Sequence, residues 1–229
     1  KEKIVLITGA TRGIGRSIAE RFLVSKDYKI VIGYKDNKDM AESLVRSEEL
    51  AMAVRIDIAS VNSIDKAFNE IESKFGSVDV LINNAGISQK KAFEDLNDED
   101  WMNMLSINLL GSFRCTKRSL PNMKRNKFGR IINITSIGGQ WGGIHQVHYA
   151  ASKAGLINLT KSLAKQYSAY GICTNAIAPG LIETDMTKEE LSSINKKELE
   201  STIPIKRLGK VEEVASLALF LASEEASYI

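Results

Sequence analysis

Short runs of β-branched and other apolar residues recur along the chain, and a longer stretch with helical spacing follows each run. Six of these runs predict strands at residues 3–8, 29–34, 51–56, 78–83, 130–135 and 172–178. Because the runs are continuously apolar rather than alternating, they suit strands that are covered on both faces. The pattern predicts an α/β fold with a single doubly wound, Rossmann-type parallel sheet and helices on both faces. Ligands of such folds bind at the carboxyl ends of the strands.

No repeat, low-complexity tract or Pro/Gly-rich linker divides the 229 residues, so we expect one dinucleotide-binding and catalytic domain over residues 1–229. The apolar runs are far shorter than the roughly 20 residues that a membrane-spanning helix needs. No segment resembles a signal peptide, which favours a soluble protein of the cytoplasm. Residues 181–204 are the least regular part, and two interpretations stay open: a mobile flap over a site or a solvated pair of helices.

Charge and cysteine content narrow the chemistry. The net charge is +3, with neither a basic stripe nor an aromatic stacking platform, so nucleic-acid binding is not expected. The two cysteines, Cys115 and Cys173, lack metal-binding spacing, and no metal site is predicted. One basic cluster indicates either a contact for an acidic partner or a solvated turn. Its members are Lys124, Arg125, Lys127 and Arg130.

A glycine-rich turn, residues 8–15, follows the first predicted strand directly and opens a helix. A bound phosphate needs backbone N–H groups without side chains in the way, and the helix N-terminus adds partial positive charge. Gly9, Gly13 and Gly15 meet the first need. The turn therefore predicts a dinucleotide phosphate site, although its G-x-x-x-G-x-G spacing departs from the G-x-G-x-x-G fingerprint.

The end of the second strand bears on which dinucleotide binds. NAD-specific enzymes place a carboxylate there for the adenosine ribose. Here Tyr34 and Lys35 occupy that place, with Asp36 one step later. Because Lys35 and Arg12 would together flank a 2′-phosphate, NADP(H) is favoured over NAD(H). Asp36 leaves open the alternative that both are solvated surface cations.

Candidate catalytic residues follow the fifth strand. Ser136 lies at the strand end, and Tyr149 and Lys153, four apart, share one face of the next helix. Hydride addition to a ketone leaves an alkoxide that needs a proton, and an adjacent ammonium lowers the pKa of tyrosine from about 10. Ser136 can hydrogen-bond the same oxygen. Tyr34 and Lys38 repeat the spacing, but only the second pair follows a strand end that bears a serine.

These motifs, in this order, resemble the short-chain dehydrogenase/reductase superfamily over essentially the whole chain. The likeness is carried by the glycine signature and by residues 83–86, Asn-Asn-Ala-Gly. It implies that Asn108 completes a catalytic set with Ser136, Tyr149 and Lys153 by holding a water that links the lysine to solvent. With the residues already discussed, it implies that the cofactor contacts are Gly9, Thr11, Arg12, Gly13, Ile14, Gly15, Tyr34, Lys35, Asp57, Ile58, Asn84, Ala85, Gly86, Tyr149, Lys153, Pro179, Gly180, Ile182 and Thr184.

Within the superfamily, residues 11–15, 129–132 and 179–186 most resemble the 3-oxoacyl-[acyl-carrier-protein] reductases. This likeness implies NADPH-dependent reduction of a 3-oxoacyl thioester, delivered free or on acyl carrier protein, by a homotetramer or else a dimer. Two positions where those reductases carry arginines for carrier-protein docking are Lys127 and Tyr170 here. Family members usually continue through a seventh strand, so we expect that this strand is missing from the sequence.

The loop before the predicted catalytic helix leaves the substrate open. Gln140 and Gln146 are candidate substrate contacts, and Trp141, His145 and His148 accompany them. The alternative substrates are a sugar, a polyol or another secondary alcohol or ketone, handled by the same mechanism. A hypothesis of another class is an NADP(H)-sensing protein without turnover.

Overall fold

The structure is a computed structural model that describes residues 2–46, 48–184 and 196–229. Within these residues, six strands form one sheet with the order β3-β2-β1-β4-β5-β6, and every neighbouring pair is parallel. The strands are β1 (Lys3–Thr8), β2 (Tyr28–Tyr34), β3 (Ala51–Arg55), β4 (Val80–Asn83), β5 (Gly129–Ile134) and β6 (Ile172–Ile177). The predicted doubly wound parallel sheet is confirmed.

Helices follow the strands on both faces of the sheet. They are α1 (Gly13–Ser25), α2 (Lys38–Val45), α3 (Val61–Lys74), α4 (Asp98–Leu105), α5 (Ser112–Asn126), α6 (Gly138–Trp141), α7 (Val147–Tyr167), α8 (Lys196–Thr202) and α9 (Val211–Ala222). A π-helical turn, Ser106–Gly111, joins α4 to α5, and short 3₁₀ turns lie at Phe93–Asp95 and Ser168–Tyr170.

Two apolar layers, one on each face, hold the sheet. On one face α1 and α9 bury Ile18, Phe22 and Val214 against the strands. On the other face α3 buries Ile64 and Phe68. The strands are thus apolar on both sides, as their continuous hydrophobic runs require.

The strand ends differ slightly from the predicted ones. β4 begins at Val80 rather than at 78, because the carboxylate of Asp79 accepts a hydrogen bond from the Ile4 N–H at 3.0 Å. β5 ends at Ile134, and the Thr135 hydroxyl then donates to the carbonyl of Ile177 at 2.9 Å. The Asp79 bond lies at the amino edge of the sheet, and the Thr135 bond lies at the carboxyl edge, directly before Ser136.

The irregular region at 181–204 is described in part. Ile182 forms an isolated bridge with Gly209, and α8 lies at the region's end. The predicted flap or helical pair falls in part on residues 185–195, which lie outside the described residues. In the parts of the chain that the structure describes, no helix has the length and apolar content needed to cross a membrane.

Candidate active site

A cavity of about 530 Å³ opens at the carboxyl edge of the sheet. It lies where the strand order reverses, between β1 and β4, which is where doubly wound sheets bind their ligands. Its volume is within the range of ordinary small-molecule sites. The predicted site residues that line it are Gly9, Thr11, Arg12, Gly13, Ile14, Gly15, Lys35, Asp57, Ile58, Asn84, Ala85, Gly86, Ser136, Tyr149, Lys153, Pro179, Gly180, Ile182 and Thr184.

The glycine turn is packed against the turn that follows β4. Gly9 has φ of +64°, and a Cβ there would lie 2.9 Å from Ala85 Cα. A Cβ on Gly15 would collide with Asn84 Nδ2 and with the Gly9 carbonyl. Asn84 Nδ2 donates to the carbonyls of Thr8 and Gly9, each at 3.0 Å. Glycine is therefore required at both positions, and the Asn84 side chain holds the turn in place.

An ion pair lies at the end of the cavity formed by β2 and β3. Lys35 Nζ lies 3.1 Å from Asp57 Oδ2, and Ala59 N–H donates to Asp57 Oδ1 at 3.0 Å. Burial opposes ionisation, but these two contacts outweigh it and hold the pKa of Asp57 below its ordinary value. The side chain of Arg12 is exposed at the same end. This end thus combines two cations, Arg12 and Lys35, with two carboxylates, Asp57 and Asp36.

The predicted catalytic side chains converge at the other end. Tyr149 and Lys153 lie on successive turns of α7, and Lys153 Nζ is 5.7 Å from the centre of the Tyr149 ring. Lys153 is 5% exposed and donates to the Ile134 carbonyl at 2.9 Å. Burial lowers the pKa of Lys153 to about 8. Ser136 Oγ accepts a hydrogen bond from Gly138 N–H at 3.1 Å, which leaves its own proton to donate.

Asn108 lies in the π-helical turn and is fully buried. Its Oδ1 accepts the Ile87 N–H, and its Nδ2 donates to the Ile87 carbonyl, both at 2.9 Å. Nδ2 also donates to Ser152 Oγ at 3.1 Å. A Cβ built on Gly86 would lie 3.1 Å from Asn108 Oδ1 and 3.5 Å from Lys153 Nζ. Asn108 is thus close behind the cavity and holds the backbone that forms it.

Three predicted contacts lie elsewhere. Tyr34 is buried in the hydrophobic core, because it faces the same side of β2 as Ile30 and Ile32, and its side chain does not line the cavity. Gln140 is exposed on α6, and Gln146 Nε2 donates to Ser88 Oγ at 3.2 Å. Neither glutamine lines the cavity described above.

The sequence interpretation missed several cavity residues. Ile87 and Ile107 line the cavity, as do Asn37 and Thr135. Ile87 directly follows the Asn-Asn-Ala-Gly segment, and this position in the sequence could have predicted that it lines the cavity. Ile107 and Thr135 look like core and strand residues in the sequence, and tertiary packing turns them toward the site.

A parallel doubly wound sheet that brings a glycine turn, a serine, a tyrosine and a buried lysine to one cavity defines an oxidoreductase that uses a nicotinamide dinucleotide. Comparison with known proteins agrees with this class. A model of the short chain dehydrogenase family matches residues 3–195, and the chain belongs to this family. The resemblance inferred from the motifs is confirmed.

Three similar relatives carry the same name. The chain is 44% identical over 230 residues to the 3-oxoacyl-[acyl-carrier-protein] reductase FabG of Aquifex aeolicus, which covers 99% of this chain and 92% of that protein. It is 40% identical to the reductase of that name from Staphylococcus epidermidis, over 99% of this chain and 94% of the other. It is 39% identical to the reductase of that name from Haemophilus influenzae, over 99% of this chain and 93% of that protein.

Proposed function

We propose that this protein reduces 3-oxoacyl thioesters with NADPH and that Tyr149 delivers the proton. The observation that carries the proposal is the single cavity that Ser136, Tyr149 and Lys153 share with the glycine turn. The name of the relatives, which match nearly the whole chain, supports the substrate class.

The geometry supports a division of roles among the three side chains. The dinucleotide, when bound, supplies a hydride to the carbonyl carbon. Tyr149 donates its proton to the carbonyl oxygen, and Ser136 donates a hydrogen bond to that oxygen as negative charge develops on it. The Lys153 ammonium, held by the Ile134 carbonyl, stabilises the tyrosinate that remains.

Asn108 fits a positioning role. Both hydrogens of its amide are donated within the protein, and its Oδ1 accepts from Ile87. The water link expected at this residue would therefore involve its main chain or the remaining lone pair of Oδ1. We propose that Asn108 holds Ile87 and the backbone beside Lys153 in the geometry that catalysis requires.

The cavity residues fit a nicotinamide dinucleotide. Gly9 and Gly15 pack closely against Ala85 and Asn84 and so hold the turn at the start of α1, where backbone N–H groups can receive the phosphates. Arg12 and Lys35 flank the adenosine end, where Asp36 and Asp57 also line the cavity. A second depression beside it is lined by Arg16 and Lys38 and by Asp36 and Asp39. The cations at this end, Arg12 above all, support NADPH over NADH.

Cofactor choice can be tested with Lys35→Ala and Arg12→Ala. Loss of one charge-assisted contact to a phosphate costs about 1.5–3 kcal/mol, so kcat/KM for NADPH should fall by roughly 10- to 100-fold. The value for NADH should change less than about threefold, because NADH lacks the 2′-phosphate. Equal losses with both cofactors would contradict the preference for NADPH.

Substrate class can be tested by following NADPH oxidation with acetoacetyl thioesters, sugars, oxidised polyols and simple ketones. We expect the thioesters to have the highest kcat/KM. A preferred sugar would overturn the substrate class and leave the mechanism standing. Tight NADPH binding without turnover of any compound would instead favour the sensing protein.

A carrier-protein partner is supported by the basic cluster near the end of α5, without its fourth member, Arg130, which is buried in β5. Lys124 Nζ lies 4.6 Å from the centre of the Tyr170 ring, and Lys127 follows in the turn. We propose that acidic groups of an acyl carrier protein contact these lysines. Lys124→Glu with Lys127→Glu should raise KM for a carrier-bound substrate at least about tenfold and leave a small free thioester unaffected. Equal effects on both substrates would contradict this contact.

We also propose a homotetramer. Met102, Leu110 and Phe113, on α4, the π-helical turn and α5, are 60%, 37% and 43% exposed. An apolar patch of this kind is typical of a subunit contact. Light scattering should give about four times the chain mass, and Phe113→Asp should lower it; a monomer would contradict the proposal.

A further inference from the structure

Two short segments face each other beside the cavity. Residues 88–91 follow β4, and residues 145–148 include the turn before α7 and the first two residues of that helix. We call the two segments together the cavity wall. Ile87 and Tyr149, which line the cavity, directly adjoin them in the chain. A displacement of the cavity wall would therefore move groups that surround the substrate.

Hydrogen bonds join the two halves of the cavity wall. The Lys91 N–H donates to the His145 carbonyl at 2.8 Å, and Gln146 Nε2 donates to Ser88 Oγ at 3.2 Å. His145 has φ of 57°, a left-handed conformation that is unfavourable for a residue with a side chain. This turn thus depends on its surroundings to keep its shape.

A chain of side chains makes the third connection. His148 Nε2 lies 2.9 Å from Gln89 Oε1, and Gln89 Nε2 donates to Asp100 Oδ1 at 2.9 Å. Asp100, in the first turn of α4, also accepts from Lys91 Nζ at 2.6 Å and from Asn97 N–H at 3.1 Å. The bonds from Lys91, Gln89 and Asn97 lower the pKa of Asp100 to about 2. An anchor that stays ionised at neutral pH therefore holds Gln89.

The hydrogen bonds that link His148, Gln89 and Asp100 all run in one direction, toward the Asp100 carboxylate. Because an ionised carboxylate only accepts, the amide group of Gln89 faces Asp100 and its carbonyl faces His148. His148 Nε2 therefore carries the proton. His148 is fully buried, with its ring edge-on to Trp101 at 6.1 Å, and its Nδ1 has no hydrogen-bond partner among the residues described. The hydrogen bond to Gln89 thus selects the tautomer of His148 that carries its proton on Nε2.

We propose that His148 and Gln89 are positioning residues that hold the cavity wall in its substrate-binding form and thereby set KM for the carbonyl substrate. Neither residue lines the cavity, so they act through Ile87 and Tyr149. If their bond is lost, only a fraction of molecules presents the formed wall, and the apparent affinity falls by that fraction. The hydrogen bonds of this network, as far as the chain is described, do not reach the glycine turn or Lys35, so NADPH binding should be left unchanged.

The kinetic test rests on the proposed function and uses His148→Phe and Gln89→Leu. Each should raise KM for the acyl thioester about tenfold, with kcat and KM for NADPH within about twofold of wild type. The double variant should be no worse than either single one, because both remove the same bond. His148→Gln is the matched control, since its amide keeps a donor near the Nε2 position, and it should restore KM.

Hydrogen exchange of the Lys91 amide, measured without substrate, tests the cavity wall independently of activity. It should exchange about tenfold faster in His148→Phe and Gln89→Leu and at the wild-type rate in His148→Gln. Unchanged exchange, additive kinetic losses or an unchanged KM in an active enzyme would each overturn the inference. A wild-type protein that reduces no carbonyl would refute the proposed function. Hydrogen exchange of the Lys91 amide would still show whether His148 and Gln89 hold the cavity wall.

Discussion

Two segments of the chain place a lysine four residues after a tyrosine, and the fold uses them in opposite ways. Tyr34 ends β2 with its ring in the core, and Lys38 begins α2 with 64% of its side chain exposed and paired with Glu42. Tyr149 and Lys153 lie on α7, and both line the cavity. The tyrosine is buried and the lysine exposed in the first pair, whereas the second pair exposes its tyrosine to the cavity and buries its lysine.

The difference shows what a catalytic lysine costs the fold. An exposed ammonium keeps its hydration, but Lys153 loses it, and burial lowers its pKa from 10.5 to about 8. A change of that size corresponds to about 3 kcal/mol between the charged and neutral forms. The position of this buried lysine beside Tyr149 supports the proposed catalytic role.

The largest expected effect separates the two tyrosines. Tyr149→Phe removes the proton donor and should lower kcat about 10³-fold, whereas NADPH affinity should stay within about threefold. Tyr34→Phe should leave kcat within about twofold, because the ring keeps its place in the core. Steady-state NADPH oxidation and a fluorescence titration measure both quantities. Similar turnover by the two variants would remove the distinction between the segments.

The two lysines should differ in activity and also in stability. Lys153→Met should lower kcat about 10²-fold, because the tyrosinate loses its stabilising charge. It should raise the free energy of unfolding by roughly 1–3 kcal/mol, since a buried charge is removed and only the Ile134 carbonyl loses its donor. Lys38→Met should change the free energy of unfolding by no more than about 0.5 kcal/mol, and it should change kcat by no more than the same free energy corresponds to. Kinetics and chemical denaturation test this, and a destabilised Lys153→Met would contradict it.

The pH dependence of activity should report Lys153 in the free enzyme. Its charged form prevails below a pKa of about 8, so kcat/KM for NADPH should be level at lower pH and fall as pH rises past that value. The fall should approach about tenfold per pH unit. Lys38→Met should give the wild-type profile. A profile that stays level to pH 10 would contradict the role of the Lys153 charge.

The smallest effect is a pH-dependent stability difference. The pKa of Lys153 is lower in the folded protein, about 8, than its ordinary 10.5, so the unfolded state holds a proton that the folded state lacks between these values. The cost of the buried charge is therefore full below pH 8 and disappears as pH approaches 10.5. The stability difference between wild type and Lys153→Met should shrink across this interval in denaturation curves. A constant difference would contradict the assignment.

Local pattern was sufficient to predict the sheet and most of the cavity. Continuous apolar runs identified the six strands of the described residues. The glycines in the turns after β1 and β4 lie in close contacts, Gly9 with the backbone of Ala85 and Gly86 with the Asn108 side chain. The strand limits were less predictable, because they depend on partners distant in sequence. β4, for example, starts after the carboxylate of Asp79 has bonded to Ile4.

Some predicted contacts lie away from the cavity for a different reason. Tyr34 was interpreted from its place at a strand end, whereas the alternation with Ile30 and Ile32 puts its side chain on the core face. The partnership of Gln89 with His148 spans 59 residues and follows no periodicity, so only the folded structure brings it to light.

A structure of the complex with NADP⁺ and an acyl thioester would test the central claim most directly. We expect Tyr149 Oη and Ser136 Oγ to lie within about 3.2 Å of one carbonyl oxygen beside the nicotinamide, with Lys153 Nζ between the tyrosine and the cofactor ribose. A Tyr149 hydroxyl turned away from that oxygen, or a Lys153 amine on the far side of α7, would contradict the account.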